Sequence, residues 1–440
     1  MKIVSCYKAK ISQSHGTLRD TVALYREVID FIINVILLKW DAISSLEKPK
    51  QRFNAIEHLI HQTKDNPFPE FPEFDKQFYK FPSYLRRAAV AAALGKVQSY
   101  KSLVERWGKM GGKKKRPSDP HAGHSFPPLY DAGMFKRVDD YHARVKVFQN
   151  NDWVWLDVQL RKSDVDYINR HCSDRQEQSP TLRQRGKNWY LDFSFKENKQ
   201  LKDTPLNQRK VLAVDLNLDA SAVVSVIDSK GTVLARRTLH QDKDSDLLNR
   251  AVTRIKNAQR NGARKTPRLW ALAKGINRHL SAKTAQFIAD VAEEHDVDVV
   301  VFEHLEVRGK KRGSRKQRLH HWRSQYVQAM VAHKAHRQGR RFARVCAWGT
   351  SRLAFDGSGR VQRGKEIGKP YCICQFQTGK VYNCDLNATY NIGARYFIRE
   401  YSKTIPEMEW QQVQAKVPAL AKRSTCTLSD LISLHAVLEM

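Results

Sequence analysis

The sequence predicts an α+β multidomain protein with two unlike halves. Three observations carry this expectation. Up to about residue 206 the chain runs strand, long helices, then strands again. From residue 208 it runs as a β-meander followed by helix, strand and helix. In that second half three carboxylates, Asp215, Glu303 and Asp385, each end an apolar strand or open a helix. Burying an unpaired carboxylate costs on the order of several kcal/mol, so three in such contexts call for a chemical reason.

The opening stretch KIVSCYKAKI alternates as a strand does, and Gly16-Thr17 then opens a helical segment through Trp40. Residues 84–107, YLRRAAVAAALGKVQSYKSLVERW, form an Ala-rich helix with basic residues on one side, followed by the loop GGKKKRPSDPHAGHSFPP. In that loop Lys113 to Arg116 fit either a solvated linker or a phosphate contact. From Arg144 the period changes to two: HARVKVFQ, DWVWLDVQL and TLRQRGKNWYLDFSFK read as aromatic and β-branched strands, with Gly186-Lys187-Asn188 as a hairpin turn. The expectation is a small β-barrel from residues 1–16 and 126–206 with a helical domain, 17–125, inserted into it. Trp153, Trp155, Trp189 and Tyr190 are candidates for base stacking, but strand alternation sends some of them into the core, and no stacking role is assigned to any one.

In the second half, strands at 211–214, 222–227 and 233–238 form the meander, the last two joined by the turn Asp228-Ser229-Lys230-Gly231. Helices follow at 247–259, which carries Arg250, Arg254 and Lys256 with Arg260 just beyond, and at 283–295, which is amphipathic. A buried strand, 297–302, then delivers Glu303. A meander, helix, strand and helix with acids on the first strand, a later strand and the last helix is the outline of an RNase H-like domain. Hydrolysis of a phosphodiester needs an in-line water and charge neutralisation on the attacking and leaving oxygens. Two Mg2+ ions about 3.5–4 Å apart supply both, and hard cations take oxygen ligands. Asp215 is expected to bridge the two ions, with Glu303 and Asp385 flanking. Taken singly, each acid has a plainer reading: Asp215 as a turn cap, Glu303 in a strand-end salt bridge, Asp385 as a helix N-cap. Nearby Asp219, His304 and Glu306 read as structural.

The charge names the kind of substrate. Lys plus Arg number 77 against 45 Asp plus Glu, a net of +32 over 440 residues, which points to a polyanionic partner. The basic residues are spread along the chain rather than gathered on one amphipathic helix, which argues against a membrane-surface protein. The amino terminus, MKIVSCYKAKIS, has no signal-peptide pattern and the longest apolar run is too short to span a bilayer, so a cytoplasmic, intracellular protein is expected. Seven scattered cysteines do not suggest a disulfide framework.

The segments VLAVDLNLDASAVVSVID, VDVVVFEHLEV and VYNCDLNATYNIGARYF resemble the split RuvC nuclease motifs of TnpB, the transposon-encoded RNA-guided nucleases, and of compact type V CRISPR effectors. The stretch from Asp385 is the most specific, with Asn387, Ala388, Asn391 and Ile392 in register. A helix at 322–344, then a strand and Gly349-Thr350-Ser351, are similar to the family's connection into its last motif. The resemblance covers residues 208–400 in its motifs, and only the architecture before that. It implies a RuvC domain of residues 207–345 and 384–400, a wedge-like barrel and a helical recognition domain that hold guide RNA and target duplex DNA, and a target-strand loading insertion at 346–383. The activity implied is RNA-guided cleavage of DNA opened beside a short motif.

The chain departs from that pattern where the family often carries two Cys-x-x-Cys pairs of a zinc ribbon. The first is replaced by RLAFDGSGRV and the second is reduced to Cys372-Ile373-Cys374. Cys346, Cys372, Cys374 and Cys384 are the possible Zn2+ ligands, but a Cys-x-Cys spacing strains tetrahedral coordination, which favours a degenerate, metal-free ribbon. Arg352, Arg360 and Arg363 are candidates to contact the scissile phosphate, with Arg352 the first choice. The run RGKKRGSRKQR at 308–318 is expected to order on nucleic acid. Two other readings stand: an RNA-guided DNA-binding protein that does not cut, and a guide-independent structure-specific nuclease. The tail, 401–440, either packs on the nuclease domain or binds RNA.

Overall fold

The computed structural model describes residues 1–13, 15–112, 115–130, 133–217, 221–305 and 323–439. The chain is mixed α+β and divides into two compact units, residues 2–197 and residue 1 with 198–440. The break falls nine residues before the 206/207 boundary expected from the sequence (206 − 197 = 9).

The first unit begins with β1 (Lys2–Lys10) and the helices α1 (Gly16–Leu38), α2 (Trp40–Ser44), α3 (Pro49–Ile60), α4 (Glu73–Gln77) and α5 (Ser83–Lys109). It continues through β2 (Phe135–Arg137), β3 (His142–Gln149), β4 (Asp152–Gln159), α6 (Lys162–Cys172), β5 (Gln176–Arg185) and β6 (Asn188–Asn198). On α1, Val28, Ile29, Ile32, Val35 and Ile36 recur at helical spacing and are buried. They share one core with Leu85, Ala89, Val90, Ala93 and Val97 of α5, where the small alanines let the two helices approach closely. The strands are not a closed barrel among the described residues. They form two three-stranded sheets, β1-β6-β5 and β2-β3-β4, tied by isolated bridges such as Ile11 to Leu160. Period two specifies strands and their faces but not which strand pairs with which, so closure was not legible.

The second unit holds β7 (Lys210–Asp215), β8 (Ala222–Asp228), β9 (Val233–Leu239), α7 (Asp242–Arg260), α8 (Pro267–Glu294), β10 (Val299–His304), α9 (Ser324–Arg337) and β11 (Arg341–Cys346). These strands make one five-stranded sheet of order β11-β10-β7-β8-β9. The neighbours β10 and β7 are parallel, as are β10 and β11, and the β7-β8-β9 meander is antiparallel. Alternate residues of β7 enter different cores: Val211 and Ala213 one, Leu212 and Val214 the other. The near-continuous apolar run VLAV is therefore that of a strand covered on both faces. The expected helix at 322–344 is shorter: α9 ends at Arg337, Gly339 takes φ 75°, and residues 341–344 belong to β11. A left-handed glycine just past a helix lets the chain turn out of it, and here it starts the parallel edge strand.

A small sheet of β12 (Gln362–Arg363), β13 (Ile373–Gln375) and β14 (Val381–Asn383) leads into α10 (Cys384–Thr404). The chain ends in α11 (Glu407–Lys416) and α12 (Leu428–Leu438). The tail packs back: Trp410, Leu420, Leu428, Leu431 and Leu434 are buried in the same core as Tyr390, Ile392 and Phe397 of α10. Among the described residues no helix is long and apolar enough to cross a membrane.

Candidate active site

Asp215 is the last residue of β7, the middle strand of the sheet, and Glu303 lies near the end of β10 beside it. The pairing of Phe302 with Val214 carries the two carboxylates to the same end of adjacent parallel strands. Asp385 enters from above, in the first turn of α10. It is not the N-cap. That role belongs to Asn383, whose side-chain oxygen accepts from the backbone N–H groups of Asp385 and Leu386, both at 2.9 Å. The cap thus lies two residues before Asp385 in the chain.

α10 is held in place by its own motif residues. Gly393 lies so close to the sheet that a Cβ there would stand 2.6 Å from Cδ1 of Ile227. The hydroxyls of Thr389 and Ser225 bond at 2.6 Å. On another face, at four-residue spacing, Asn387, Asn391 and Arg395 grip the turn after β11. Asn391 Nδ2 donates to the carbonyls of Thr350 and Leu353 at 2.9 and 2.8 Å, and Asn387 Nδ2 donates to Leu353 O at 2.9 Å. Buried Arg395 donates to the carbonyls of Cys346, Trp348 and Cys426 at 2.9, 2.8 and 3.0 Å. The turn in turn holds an acid: the Thr350 hydroxyl donates to Oε1 of Glu303. Gln328 Nε2 donates to the Glu303 carbonyl at 3.0 Å.

Asp215 and Glu303 are each only 9% exposed. Burial, then the charges of Glu303 and Asp385, push the Asp215 carboxyl well above the ordinary aspartate range, and Arg363 acts weakly the other way. Burial also raises Glu303, against the Thr350 hydrogen bond and the charge of Arg395. Among the described residues no three His, Cys, Asp or Glu side chains are drawn close enough to surround an ion. Like charges repel, and Glu303 is engaged by Thr350. The donor set still fits a hard divalent cation in kind, being carboxylate oxygens, with the charges of Arg363 and Arg395 acting on Asp215 and Glu303.

Arg352 is exposed on the turn and Arg360 is exposed beside Glu366, 3.7 Å away. Arg363 is the arginine whose charge reaches Asp215. It also hydrogen-bonds Cys384 and lies 3.4 Å from the Ser351 hydroxyl. The Cys374 and Cys384 thiols are hydrogen-bonded to each other, which, with the Arg363 bond, lowers Cys384 to about 7 despite its burial and raises Cys374. Both lie in a small apolar core with Ala354, Val361 and Phe376, whereas Cys346 and Cys372 are exposed. His304 is exposed at the end of β10. Asp219, Glu306, the basic run 308–318, Lys113 and Lys114 lie outside the described residues. Of the sequence's aromatics, Trp189 is core and Trp153 packs on Phe81 and Phe148 at 5.7 Å. Trp155 lies under Lys136 and Lys146, and Tyr190 under Lys8 and Arg185.

A cryo-EM structure of a Cas12f1–sgRNA–target DNA complex superposes on this chain with a TM-score of 0.50 at 12% identity, over 89% of this chain and 98% of that one. The chain shares the Cas12f1 fold. A CRISPR-Cas12f ternary complex matches with a TM-score of 0.34 at 13% identity over 86% and 80% of the two chains. CasPhi-2 (Cas12j) bound to crRNA matches at 0.40 and 10% over 89% and 97%. These lower scores add nothing to the fold assignment. The structural neighbours are type V CRISPR effectors, consistent with the resemblance to TnpB and compact type V effectors carried by the RuvC-like motifs. By sequence, residues 5–149 match the Aq_aa04 family, whose description names no activity. No curated protein sequence matches the chain.

Proposed function

We propose that this protein is an RNA-guided DNA endonuclease with one RuvC-type site formed by Asp215, Glu303 and Asp385. The observation that carries the reading is Asp215 itself: a buried aspartate at the end of the middle strand of a five-stranded sheet, its charged form destabilised by burial first and then by the charges of Glu303 and Asp385. Such an arrangement is expensive in a resting fold and is offset when positive charge arrives. Two divalent cations held there would neutralise the attacking and leaving oxygens of a phosphodiester. The protein's own part is placement. Asp215 and Glu303 are fixed by strand register, Asp385 by the Asn383 cap, and Glu303 is further oriented by Thr350. Arg363, on β12, is the arginine whose charge acts on Asp215 and the first candidate to meet phosphate charge there, with Arg352, on the turn after β11, as the outer candidate.

The net charge of +32 and the Cas12f1 fold, seen there with sgRNA and target DNA, support guide RNA and duplex DNA as partners. In this reading residues 17–125 are the recognition helices, the two flanking sheets the wedge-like module, and 346–383 the target-strand loading insertion. The test is to express the protein with its native flanking DNA and sequence the RNA that co-purifies. A discrete RNA with a variable end matching a DNA target is expected. Heterogeneous RNA or none would favour a guide-independent nuclease. Phosphate contacts on this scale also predict a steep loss of DNA affinity as salt rises.

A further inference from the structure

A second site lies in the first unit, away from the acids in sequence and chemistry. Between β1, α6 and the β5–β6 hairpin is a half-open pocket of ≈ 360 Å³, lined by Cys6, Tyr7, Lys8, Asp164, Tyr167, Ile168, Arg185 and Asp192. That volume is in the range of small-ligand pockets. Its walls combine aromatic rings with fixed cations. Tyr7 and Tyr167 stand 6.0 Å apart between ring centroids. His171 stacks on one face of Tyr167 at 4.0 Å, yet Tyr167 remains 47% exposed. Arg185 is prepositioned by a fork of two 2.7 Å hydrogen bonds to buried Asp192. Arg185 and Lys8 lie over the Tyr190 ring, at 5.1 and 5.4 Å.

The acids in the pocket are already engaged. Asp192 also meets Arg183 at 3.2 Å. Asp164 accepts the Lys10 N–H at 2.9 Å and lies 3.8 Å from Arg161. The lining itself carries two cations and two carboxylates, and Arg161 and Arg183, which meet those carboxylates from outside it, tip the surroundings positive, with Lys8 as the cation least committed to an acid. A ligand for this pocket needs a flat ring for the tyrosines and an anionic group for Lys8 and Arg185. We propose that the pocket binds one nucleotide unit, its base stacked on Tyr167 and its phosphate held by Lys8 and Arg185. The proposal rests on the reading that the protein works on nucleic acid.

Cys6 supplies an internal probe, because it is an exposed free thiol on the pocket wall. The full-length protein would be alkylated with N-ethylmaleimide and modification at each cysteine read by peptide mass spectrometry. The additions would be AMP, UMP, a short single-stranded RNA, or DNA of the same sequence. Exposed Cys346 and Cys372 serve as references for the mononucleotides. Slowed alkylation at Cys6 alone is expected. The protecting concentration should rise roughly five- to hundredfold in Tyr167→Ala, the range one base–aromatic stack is worth, and should also rise in Lys8→Gln, with both variants melting as wild type does. Protection by AMP or UMP identifies a free nucleotide as the ligand; protection by RNA alone or DNA alone identifies a residue of that strand. If RNA and DNA bind the protein but Cys6 reacts at an unchanged rate, or protection survives both substitutions, the pocket proposal fails alone. If neither nucleic acid binds and neither mononucleotide protects Cys6, the pocket and the proposed function fall together; if a mononucleotide alone protects it, the pocket stands and the proposed function falls. Protection of Cys6 in a protein that never cuts guided DNA would uphold the pocket and overturn the nuclease.

Discussion

The hydroxyl of Thr350 donates to the carboxylate of Glu303, while the carbonyl of the same threonine accepts from Asn391 at 2.9 Å. One residue thus links a β10 acid to the helix that presents Asp385. Removing an outer-shell partner of a metal-binding carboxylate typically costs about 10- to 100-fold in affinity or rate. Thr350→Val, which keeps the shape and loses the donor, is expected to lower the cleavage rate and raise the Mg2+ requirement by that order. Thr350→Ser should restore most of it. A magnesium titration of cleavage checks this, with RNA and DNA binding measured in parallel and expected to be unchanged.

Gly393 offers a test of packing. In an exposed helix a glycine-to-alanine change stabilises by about 1 kcal/mol. Here the added Cβ would meet Ile227 Cδ1 at 2.6 Å, so Gly393→Ala is expected to destabilise instead, by about 1–3 kcal/mol as overpacked cores do. Ile227→Val, which removes that methyl, should recover most of the loss in the double variant. Urea denaturation of the four proteins reads the coupling.

Arg395 is buried and donates to three carbonyls from two separate segments. Arg395→Met fills much of the volume and leaves those carbonyls without their partner. A loss of about 3 kcal/mol or more is expected, since each buried acceptor left unsatisfied costs about 1–3 kcal/mol. Limited proteolysis should show the tail after residue 401 released first, because the Cys426 contact is one of the three.

These contacts separate what the sequence made legible from what it did not. The three acids stood out because a carboxylate at the end of an apolar strand is costly wherever it occurs, a local fact. Asn387 and Asn391 are visible as motif residues and Arg395 is not, and the partners of all three lie 31 to 49 residues away in the chain, so no periodicity shows that they clamp a turn. In the sequence Thr350 stands out only as part of the Gly-Thr-Ser connection. Nearness in sequence to that connection favours Arg352, while the charge of Arg363, on β12, acts on Asp215 from a segment whose place relative to the sheet is not readable from spacing. The plainer reading of Asp385 as an N-cap gave way because Asn383 occupies that position. Barrel closure depended on strand pairing, on which alternation is silent.

The Asp215 carboxyl is raised by burial first and by its acidic neighbours second. Its unfolded value is about 4. A folded value above that means the native state binds the proton more tightly. The resulting stabilisation is complete below about pH 4 and is lost as pH rises through the raised value. Without divalent cations, Asp215→Asn is therefore expected to melt higher than wild type at neutral pH. The difference should vanish on acidification and shrink when Mg2+ is added. Melting curves of the two proteins from pH 4 to pH 8, with and without Mg2+, measure it.

The most direct measurement is cleavage of a DNA duplex matching the RNA that co-purifies with the full-length protein, by wild type and by Asp215→Ala, in Mg2+. The account predicts that wild type cuts the matched duplex and spares an unmatched one, and that Asp215→Ala binds the matched duplex with similar affinity but does not cut it. Equal cutting by both proteins, or cutting indifferent to the match, would contradict it.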